Sequence, residues 1–364
     1  MSRTIFIVVI ICLLSIQDMN CQEKKSIITE KVKIGLLVGN NTYDEARFGA
    51  EMAIQEANEK GGVDGRTFQL VTRSLEGPWG TGSKEAVNLV FEEKVWAIMG
   101  SHKGRNAHLV EQVITKTRVV FLAAWSTDPT LSQAFVPWYF SCIPNDNQQA
   151  TALAEEIYTK RNITKIAVVS DSSYDAKMAL NSFLKASESI GTMAPLQLFC
   201  DNSMGDFNVL LDKIHKAKIE GIVLLGNPAA SLRFIQQLRQ KKMNQPVFGT
   251  LSLLGEAKLD NVELADYSNF ATVTSVNWQG SKEMNFTKEF QKKYSKIPGV
   301  VAAYAYDGMN IIIDAIKNTR LNREKVQEAM SKTRYKGITG FIQFDERGNR
   351  MGAVDLLEIK NGIP

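Results

Sequence analysis

The chain has 364 residues, of which 44% are hydrophobic and 23% are charged. These proportions describe a globular protein long enough for two domains, and they exclude a disordered or fibrous chain. The formal net charge is +4, and the basic residues are scattered along the sequence. Because a nucleic-acid-binding surface concentrates its positive charge on one face, we expect no nucleic-acid partner.

The N-terminus has the features of an export signal. Arg3 precedes an apolar block at residues 5–16, which is shorter than the roughly 20 residues of a membrane-spanning helix and typical of a signal peptide. We therefore predict a signal peptide over residues 1–22 and a periplasmic or other extracytoplasmic location. Cys21 follows the apolar block, so a lipid anchor on this residue stays open, although residues 18–20 fit a lipidation site poorly.

Two successive series of apolar runs predict two similar lobes. The first series lies at residues 33–38, 68–71, 95–99 and 119–123. The second lies at residues 166–169, 196–199, 221–225 and 246–249. Between these runs the apolar residues repeat with helical spacing, as in Ala46, Ala50 and Ala53. Because uniformly apolar strands occur where helices cover both faces of a parallel sheet, the predicted fold class is α/β, with two doubly wound parallel-sheet lobes.

The remaining segments connect the lobes and complete them. Residues 138–146 indicate a strand that passes into a connector, which we take as the first crossing between the lobes. The second series is followed by an apolar stretch and two helices, at residues 270–274, 282–294 and 305–316. The last apolar runs are predicted to pair as a terminal hairpin, formed by residues 341–344 and 353–357 around a turn at 345–349.

Two cysteines, Cys142 and Cys200, lie in the mature part of the chain besides a possible Cys21. In an oxidising compartment these two residues could form a disulfide. Both lie in apolar strand segments, and we therefore expect buried free thiols.

Small, hydroxyl and aromatic residues follow the predicted strands. These loops are residues 39–43, 76–80, 100–104, 124–129, 170–174, 226–228 and 250–252. Ligands of open parallel sheets bind beyond the carboxyl ends of the strands, and the helix N-termini found there favour an anionic group. Any one loop could be an ordinary turn or helix cap. Their recurrence at equivalent strand ends in both predicted lobes indicates a shared cleft.

The sequence offers little for catalysis. His102 and His108 are six residues apart, which does not match the spacing of a helical metal-binding pair, and we expect surface or capping roles for them. The sequence contains no nucleophile-elbow, dinucleotide-binding or Walker A motif. We therefore expect a protein without catalytic residues, metal or cofactor.

Several stretches along the chain carry a family resemblance. They read VKIGLL, GAEMAIQEANEKGGVDGR, IMGSHKGRNA, FLAAWSTDPTL, VVSDSSYDAKMAL, AYAYDGMNIIIDAI and YKGITGFIQFDERGNRMGAV. Together, over about residues 32–362, they resemble the periplasmic type I solute-binding proteins of the branched-chain amino acid class, which are the soluble partners of ABC importers. This resemblance implies a small-molecule ligand, the membrane permease of an importer as partner, and a monomer.

The resemblance also implies a ligand site. The family's carboxylate-binding segment aligns with Trp125, Ser126 and Thr127, a loop donor aligns with the backbone N–H of Gly104, and the aromatic residue of the second lobe aligns with Tyr174. The predicted ligand-binding residues are Tyr43, Trp79, Gly104, Trp125, Ser126, Thr127, Tyr174, Asn227 and Leu251.

One position departs from the family pattern. An acidic residue that pairs with a ligand α-ammonium is expected just after Phe248 and Gly249, where this chain has Thr250 and Leu251, with Glu256 nearby. A buried ammonium without a carboxylate partner is costly. The resemblance therefore implies an amino acid or a related compound, and an amide, a urea-like or an aromatic carboxylate ligand stays open.

Finally, the resemblance implies a multi-strand hinge. With crossings near residues 143–147, 273–278 and 339–341, lobe 1 is predicted to contain residues 30–143 plus 277–338, and lobe 2 residues 144–276 plus 339–364. Ligand contacts from both lobes would favour the closed form.

Two alternative functions stay open. A ligand sensor for a membrane receptor would use the same fold and cleft, and an enzyme on this scaffold is the other alternative.

Overall fold

The structure is a computed structural model that describes residues 30–39, 44–100, 103–201, 205–254, 270–274, 280–352 and 354–359. The predicted signal peptide, Cys21, Tyr43, His102 and Glu256 lie outside the described residues. Within the described ranges, no helix combines the length and the apolar character needed to cross a membrane.

The first half of the chain forms a five-stranded sheet in the order β2-β1-β3-β4-β5, with all strands parallel. Its strands are β1 (Val32–Val38), β2 (Phe68–Ser74), β3 (Ala97–Gly100), β4 (Val120–Ala123) and β5 (Tyr139–Ser141). The helices between them are α1 (Asp44–Glu59), α2 (Thr81–Phe91) and α3 (Gly104–Thr117). The central strands are buried on both faces, which explains why their sequences are uniformly apolar.

The second half forms a six-stranded sheet in the order β13-β10-β9-β8-β6-β7, in which only β13 is antiparallel to its neighbour. Its strands are β6 (Ile166–Ser170), β7 (Leu196–Phe199), β8 (Gly221–Leu225), β9 (Val247–Gly249), β10 (Phe270–Thr274) and β13 (Asp355–Ile359). The associated helices are α4 (Asp146–Ala154), α5 (Tyr174–Ile190), α6 (Asn208–Lys216) and α7 (Pro228–Gln240).

Three helices follow β10 and return to the first sheet. They are α8 (Ser281–Tyr294), α9 (Val300–Asn318) and α10 (Val326–Ser331). Helix α9 is buried along most of its length and packs against α1, so the first sheet is completed by residues distant in sequence. The fold class predicted from the sequence, two parallel-sheet α/β lobes, is confirmed, whereas the boundaries of the two lobes stay a prediction.

The predicted terminal hairpin is wrong in its pairing. Strand β12 (Gly340–Ile342) pairs with β11 (Tyr335–Gly337), and β13 pairs with β10 in the second sheet. A short hairpin does form around the predicted turn, where Phe344 makes an antiparallel bridge with Arg350 and the N–H of Met351 donates to the carbonyl of Gln343 at 2.8 Å, but it ends before β13. The apolar residues of β13 instead extend the larger sheet, because pairing with β10 satisfies a longer row of backbone groups.

A buried polar network ties the crossing segments together. The carboxylate of Asp307, on α9, accepts hydrogen bonds from the N–H groups of Ile338 (3.0 Å) and Thr339 (2.7 Å) and from the Thr339 hydroxyl (2.8 Å). The guanidinium of Arg350 donates to the Thr339 hydroxyl (3.1 Å) and to the carbonyl of Cys142 (2.9 Å). Asp307, Thr339 and Arg350 are all buried. We call this group the hinge network.

The first crossing lies against the last one. The N–H of Ser141, at the end of β5, donates to the carbonyl of Gly348 at 2.8 Å, and a side chain on Gly348 would meet the carbonyl oxygen of Tyr139 at 2.1 Å. Gly348 also has φ +79°, which favours glycine. A glycine is therefore required where the two crossing segments approach.

The two described cysteines are free thiols, as expected from the sequence. Cys142 is buried in the hinge, and burial raises the pKa of its thiol to about 12. Cys200, just after β7, is only half-buried, so the expectation of burial is wrong for this residue. It lies at the end of an edge strand, where only one neighbouring strand covers the backbone.

Candidate functional site

The strand-end loops of the two sheets meet at the first turns of α3 and α5. The N–H of Gly104, which opens α3, donates to Oδ1 of Asp175 in α5 at 2.8 Å. A side chain on Gly104 would lie 2.7 Å from Oδ2 of Asp128 and 3.0 Å from Oδ1 of Asp175. Only glycine therefore allows this approach between elements of different sheets.

His108, one turn further along α3, lies between two carboxylates. Its Nε2 is 3.0 Å from Oδ2 of Asp128 and 3.0 Å from the Thr130 hydroxyl, and its Nδ1 is 3.3 Å from Oε2 of Glu111. The hydrogen bonds to Asp128 and Glu111 raise the pKa of His108 to about 9, so the ring is cationic at neutral pH. The expected surface or capping role is wrong for this residue, because its ring takes part in a half-buried ion cluster.

Asp128 completes this cluster from the loop after β4. Its Oδ1 accepts from the N–H of Thr130 at 2.9 Å and from the Thr130 hydroxyl at 2.7 Å. Burial alone would raise the pKa of Asp128, but the bonds to His108 and Thr130 together hold it below its ordinary value. The carboxylate is therefore paired with His108 and Thr130, and the hydroxyl of Tyr174 also bonds it from the second lobe.

Tyr174, at the start of α5, packs against α3 across the cleft. Its ring forms an edge contact with His108 at a centroid distance of 6.5 Å, and the guanidinium of Arg105 lies 5.4 Å from its centroid. Burial raises the pKa of the Tyr174 hydroxyl above its ordinary value. An aromatic residue between two cationic groups is a favourable arrangement because the ring face attracts positive charge.

Three buried polar atoms around the same strand ends have no hydrogen-bond partner in the described part of the chain. They are Oγ of Ser126, Oδ2 of Asp146 and Oγ of Ser170. Asp146 begins α4, its N–H donates to the carbonyl of Thr127 at 2.8 Å, and its carboxyl also bonds the Thr127 side chain. Burial raises the pKa of Asp146 well above its ordinary value. Buried polar groups normally find partners, so these atoms are positioned for a bound molecule or water.

The indole of Trp125 forms part of the apolar side of the cleft. It packs against the edge of Tyr304, a fully buried residue of α9, with ring centroids 5.9 Å apart. A cavity of only about 10 Å³ is left beside it, lined by Leu36, Leu37, Ala46, Met99, Gly100, Ala124, Val301 and Ala305. Trp125 thus fills apolar space at the ends of β1, β3 and β4.

The other predicted residues lie in different environments. The side chain of Trp79 is 83% exposed. The side chain of Asn227 caps α7 by accepting from the N–H of Ala230 at 3.1 Å. Leu251 is fully buried, and its N–H donates to Oε1 of Gln149 at 2.9 Å. The structure thus brings Gly104, Trp125, Ser126, Thr127 and Tyr174 to the cleft, and Tyr43 lies outside the described residues.

Four polar residues of the cleft were missed in the sequence, namely His108, Asp146, Ser170 and Asp175. Asp146 follows the connector after β5, and Asp175 follows Tyr174 directly. For Asp146 and Asp175 the only sequence signal is a polar side chain in the first turn of a helix that begins beside a strand end, which many capping residues share. Ser170 lies in a predicted loop but was not singled out there. Among the described residues, no group of three or more potential ligands could hold a metal ion.

These features define a two-lobed α/β protein in which loops at the strand ends of both sheets meet, as Gly104 and Asp175 do. The family model for periplasmic binding proteins matches residues 32–362. The chain therefore belongs to the periplasmic binding protein family, and the resemblance found in the sequence is confirmed.

Individual relatives agree with this assignment. The leucine-, isoleucine-, valine-, threonine- and alanine-binding protein of Pseudomonas aeruginosa is 23% identical over 84% of this chain and 82% of the relative. LivJ from Streptococcus pneumoniae, solved in complex with isoleucine, has a TM-score of 0.80 at 20% identity, covering 92% of this chain and 97% of the other. A solute-binding protein from R. palustris in complex with benzoate has a TM-score of 0.79 at 18% identity, covering 92% and 94%.

Proposed function

We propose that the mature protein captures a small polar ligand between its two lobes outside the cytoplasm and delivers it to the membrane permease of an ABC importer. The family assignment supports this role, since the relatives described above are binding proteins by name. The protein acts as a monomer after removal of residues 1–22, and an anchor at Cys21 is compatible with this function.

The observation that carries the proposal is the convergence of strand ends from both sheets. Gly104 and Asp175 are in contact across the cleft, and the partnerless hydroxyls of Ser126 and Ser170 come from different sheets. A ligand that bonds groups of both lobes gains these contacts only in the closed form. Binding therefore favours closure, which an importer can recognise as the loaded state.

The proposed lobes are residues 30–143 plus 277–338 and residues 144–276 plus 339–364, and the hinge network joins their crossings. Hinge closure absorbs backbone rotation in a few connecting residues. The proposed ligand-binding residues are those predicted from the sequence, of which Thr127 and Tyr174 lie on opposite sides of the cleft. The ligand class includes amino acids and related amides or carboxylates.

A thermal-shift screen of the mature protein tests this function. Amino acids, amides and small carboxylates are added singly, and a true ligand at 100 times its dissociation constant stabilises the protein by about 2.7 kcal/mol. Thr127→Ala and Tyr174→Ala should each weaken the hit at least tenfold in calorimetry. Val209→Ala, at an exposed position on α6, should bind as the wild type does.

The importer role is tested separately. The purified protein should stimulate uptake of its ligand by the permease and ATPase of the same organism reconstituted in vesicles. Full affinity in both cleft variants would contradict the proposed site, and ligand binding without any effect on uptake would contradict the delivery role.

A further inference from the structure

The carboxylates of the cleft already have partners. Asp128 is paired with His108 and Thr130, and Asp175 accepts from the N–H of Gly104. Asp171 accepts from the N–H groups of Ser173 (2.8 Å) and Asn227 (2.7 Å). Each of the three carboxylates thus already accepts at least one hydrogen bond from the protein, which partly satisfies its negative charge.

Asp146 is a fourth carboxyl group of the cleft, and its environment favours the protonated form. It is buried, and both burial and the nearby carboxylates of Asp175 and Asp128 raise its pKa. A protonated carboxyl group can donate a hydrogen bond. With the partnerless hydroxyls of Ser126 and Ser170, it forms a set of donors suited to a carboxylate or carbonyl oxygen.

The position where the family resemblance implies an acidic partner is occupied by a buried leucine and by hydroxyl groups that are already hydrogen-bonded. Leu251 is fully buried, and its N–H is bonded to Gln149. The adjacent hydroxyl of Thr250 lies 2.7 Å from the hydroxyl of Ser252. This segment therefore offers hydroxyl groups and a buried leucine, and no negative charge, at the place in the second lobe where the family resemblance implies an ammonium partner.

Trp125 restricts the opposite side of the site. Its ring fills the apolar space at the ends of β1, β3 and β4 and leaves a cavity of about 10 Å³ beside it. The ring is fixed by its contact with Tyr304 but is not fully buried itself. A flat ligand can therefore lie against its exposed part and gain stacking energy.

We infer that the ligand is a flat carboxylate or carboxamide without a cationic amine, and that it lies against the indole of Trp125. This inference rests on the binding function proposed above and narrows its ligand class. It distinguishes this chain from a binder of branched-chain amino acids, because Thr250 and Leu251 stand where the resemblance implies an acidic partner and the indole of Trp125 occupies apolar space at the strand ends of the first lobe.

Calorimetry with matched ligands tests the inference. L-leucine is compared with 4-methylpentanoate, and L-phenylalanine with 3-phenylpropanoate, so that each pair differs only by the amine. Benzoate, benzamide and trans-cinnamate serve as flat ligands. We expect each amino acid to bind at least tenfold more weakly than its partner without the amine, and at least one flat ligand to bind most tightly.

Variants of Trp125 test the stacking contact. Trp125→Ala should weaken the flat ligand at least tenfold, and Trp125→Phe should retain affinity within about threefold because a ring face persists. Ligand binding should change the indole fluorescence of the wild type, and this signal should be lost in Trp125→Phe. Trp96→Phe, at the opposite end of β3 and packed on Arg323, should keep both the affinity and the signal.

The possible results have distinct meanings. An amino acid that binds as tightly as its partner without the amine overturns the inference and leaves the binding function intact. Unchanged affinity in folded Trp125→Ala, or an unchanged fluorescence signal in Trp125→Phe, also overturns it. If no compound of any class stabilises the protein, both the inference and the proposed function are contradicted.

Discussion

The hinge and the cleft are neighbouring regions with opposite hydrogen-bond status. In the hinge, the buried charges of Asp307 and Arg350 share the Thr339 hydroxyl, and each has further backbone partners. In the cleft, the buried oxygens of Ser126 and Ser170 have no partner among the described residues. Of these two regions, only the cleft keeps buried polar atoms without a partner among the described residues.

This difference indicates how stability and function are divided. A buried polar atom without a partner costs about 1–3 kcal/mol, so the free hydroxyls of the cleft favour a bound group that supplies hydrogen bonds to them. The hinge network has no such deficit, and it holds the crossing strands in a defined arrangement. In the hinge network the buried polar groups have hydrogen-bond partners, whereas in the cleft several do not. The following predictions test this difference.

The largest expected effect is the loss of the hinge carboxylate. Asp307→Ala removes the acceptor of two backbone N–H groups and of the Thr339 hydroxyl, all of which are buried. Because a buried donor left without an acceptor costs about 1–3 kcal/mol, the variant should lower the free energy of unfolding by at least about 3 kcal/mol. Denaturant unfolding followed by circular dichroism measures the change.

The control for this variant is Asp212→Ala. Asp212 forms an exposed ion pair with Lys241 at 3.0 Å, and such pairs contribute about 0–1 kcal/mol. If Asp307→Ala were no more destabilising than Asp212→Ala, the hinge network would not be the stable region that the comparison requires.

A smaller effect is expected from the ion cluster of the cleft, as a dependence of stability on pH. The folded-state pKa of His108 is about 9, compared with an ordinary value of 6.5. The stabilisation by the protonated ring is therefore fully present below pH 6.5 and is lost as the pH rises through 9. Because the side chain is about one-third exposed, solvent screening reduces this contribution to about 1–2 kcal/mol.

Unfolding between pH 6 and pH 10 measures this dependence in the wild type and in His108→Gln. The variant should lose the part of the decline that lies between pH 6.5 and pH 9. Asp128→Asn should lower the pKa of His108 in an NMR titration, since it removes the main hydrogen-bond acceptor. Identical pH profiles for the wild type and His108→Gln would show that the cluster contributes nothing to the closed cleft.

Most of the fold could be predicted from the sequence because uniformly apolar runs and helical spacing determine local structure. The terminal hairpin was mistaken because the pairing of β13 with β10 joins residues about 85 positions apart, and local pattern favours the neighbour in sequence. The same limitation applies to α9, whose contact with α1 is non-local.

The site was predictable where it depended on strand ends and on the family resemblance, as for Gly104, Thr127 and Tyr174. It was not predictable where a side chain acquires its role through partners from other elements. His108 is cationic only because Asp128 and Glu111 flank it in space. Asp146 has a raised pKa only because the folded chain buries it.

The smallest expected effect is a difference in the rate of thiol labelling between Cys142 and Cys200, which can be measured without altering the stability of the protein. In the mature protein without residues 1–22, a small thiol reagent should label Cys200 within minutes, because Cys200 is half-exposed at a strand end. Cys142 should remain unlabelled until the protein unfolds, because it is fully buried in the hinge and its pKa of about 12 leaves almost no reactive thiolate at neutral pH. Mass spectrometry of the labelled peptides gives both rates. Comparable labelling of the two thiols in folded protein would mean that the hinge opens readily. It would contradict the view that the hinge network is a stably hydrogen-bonded region.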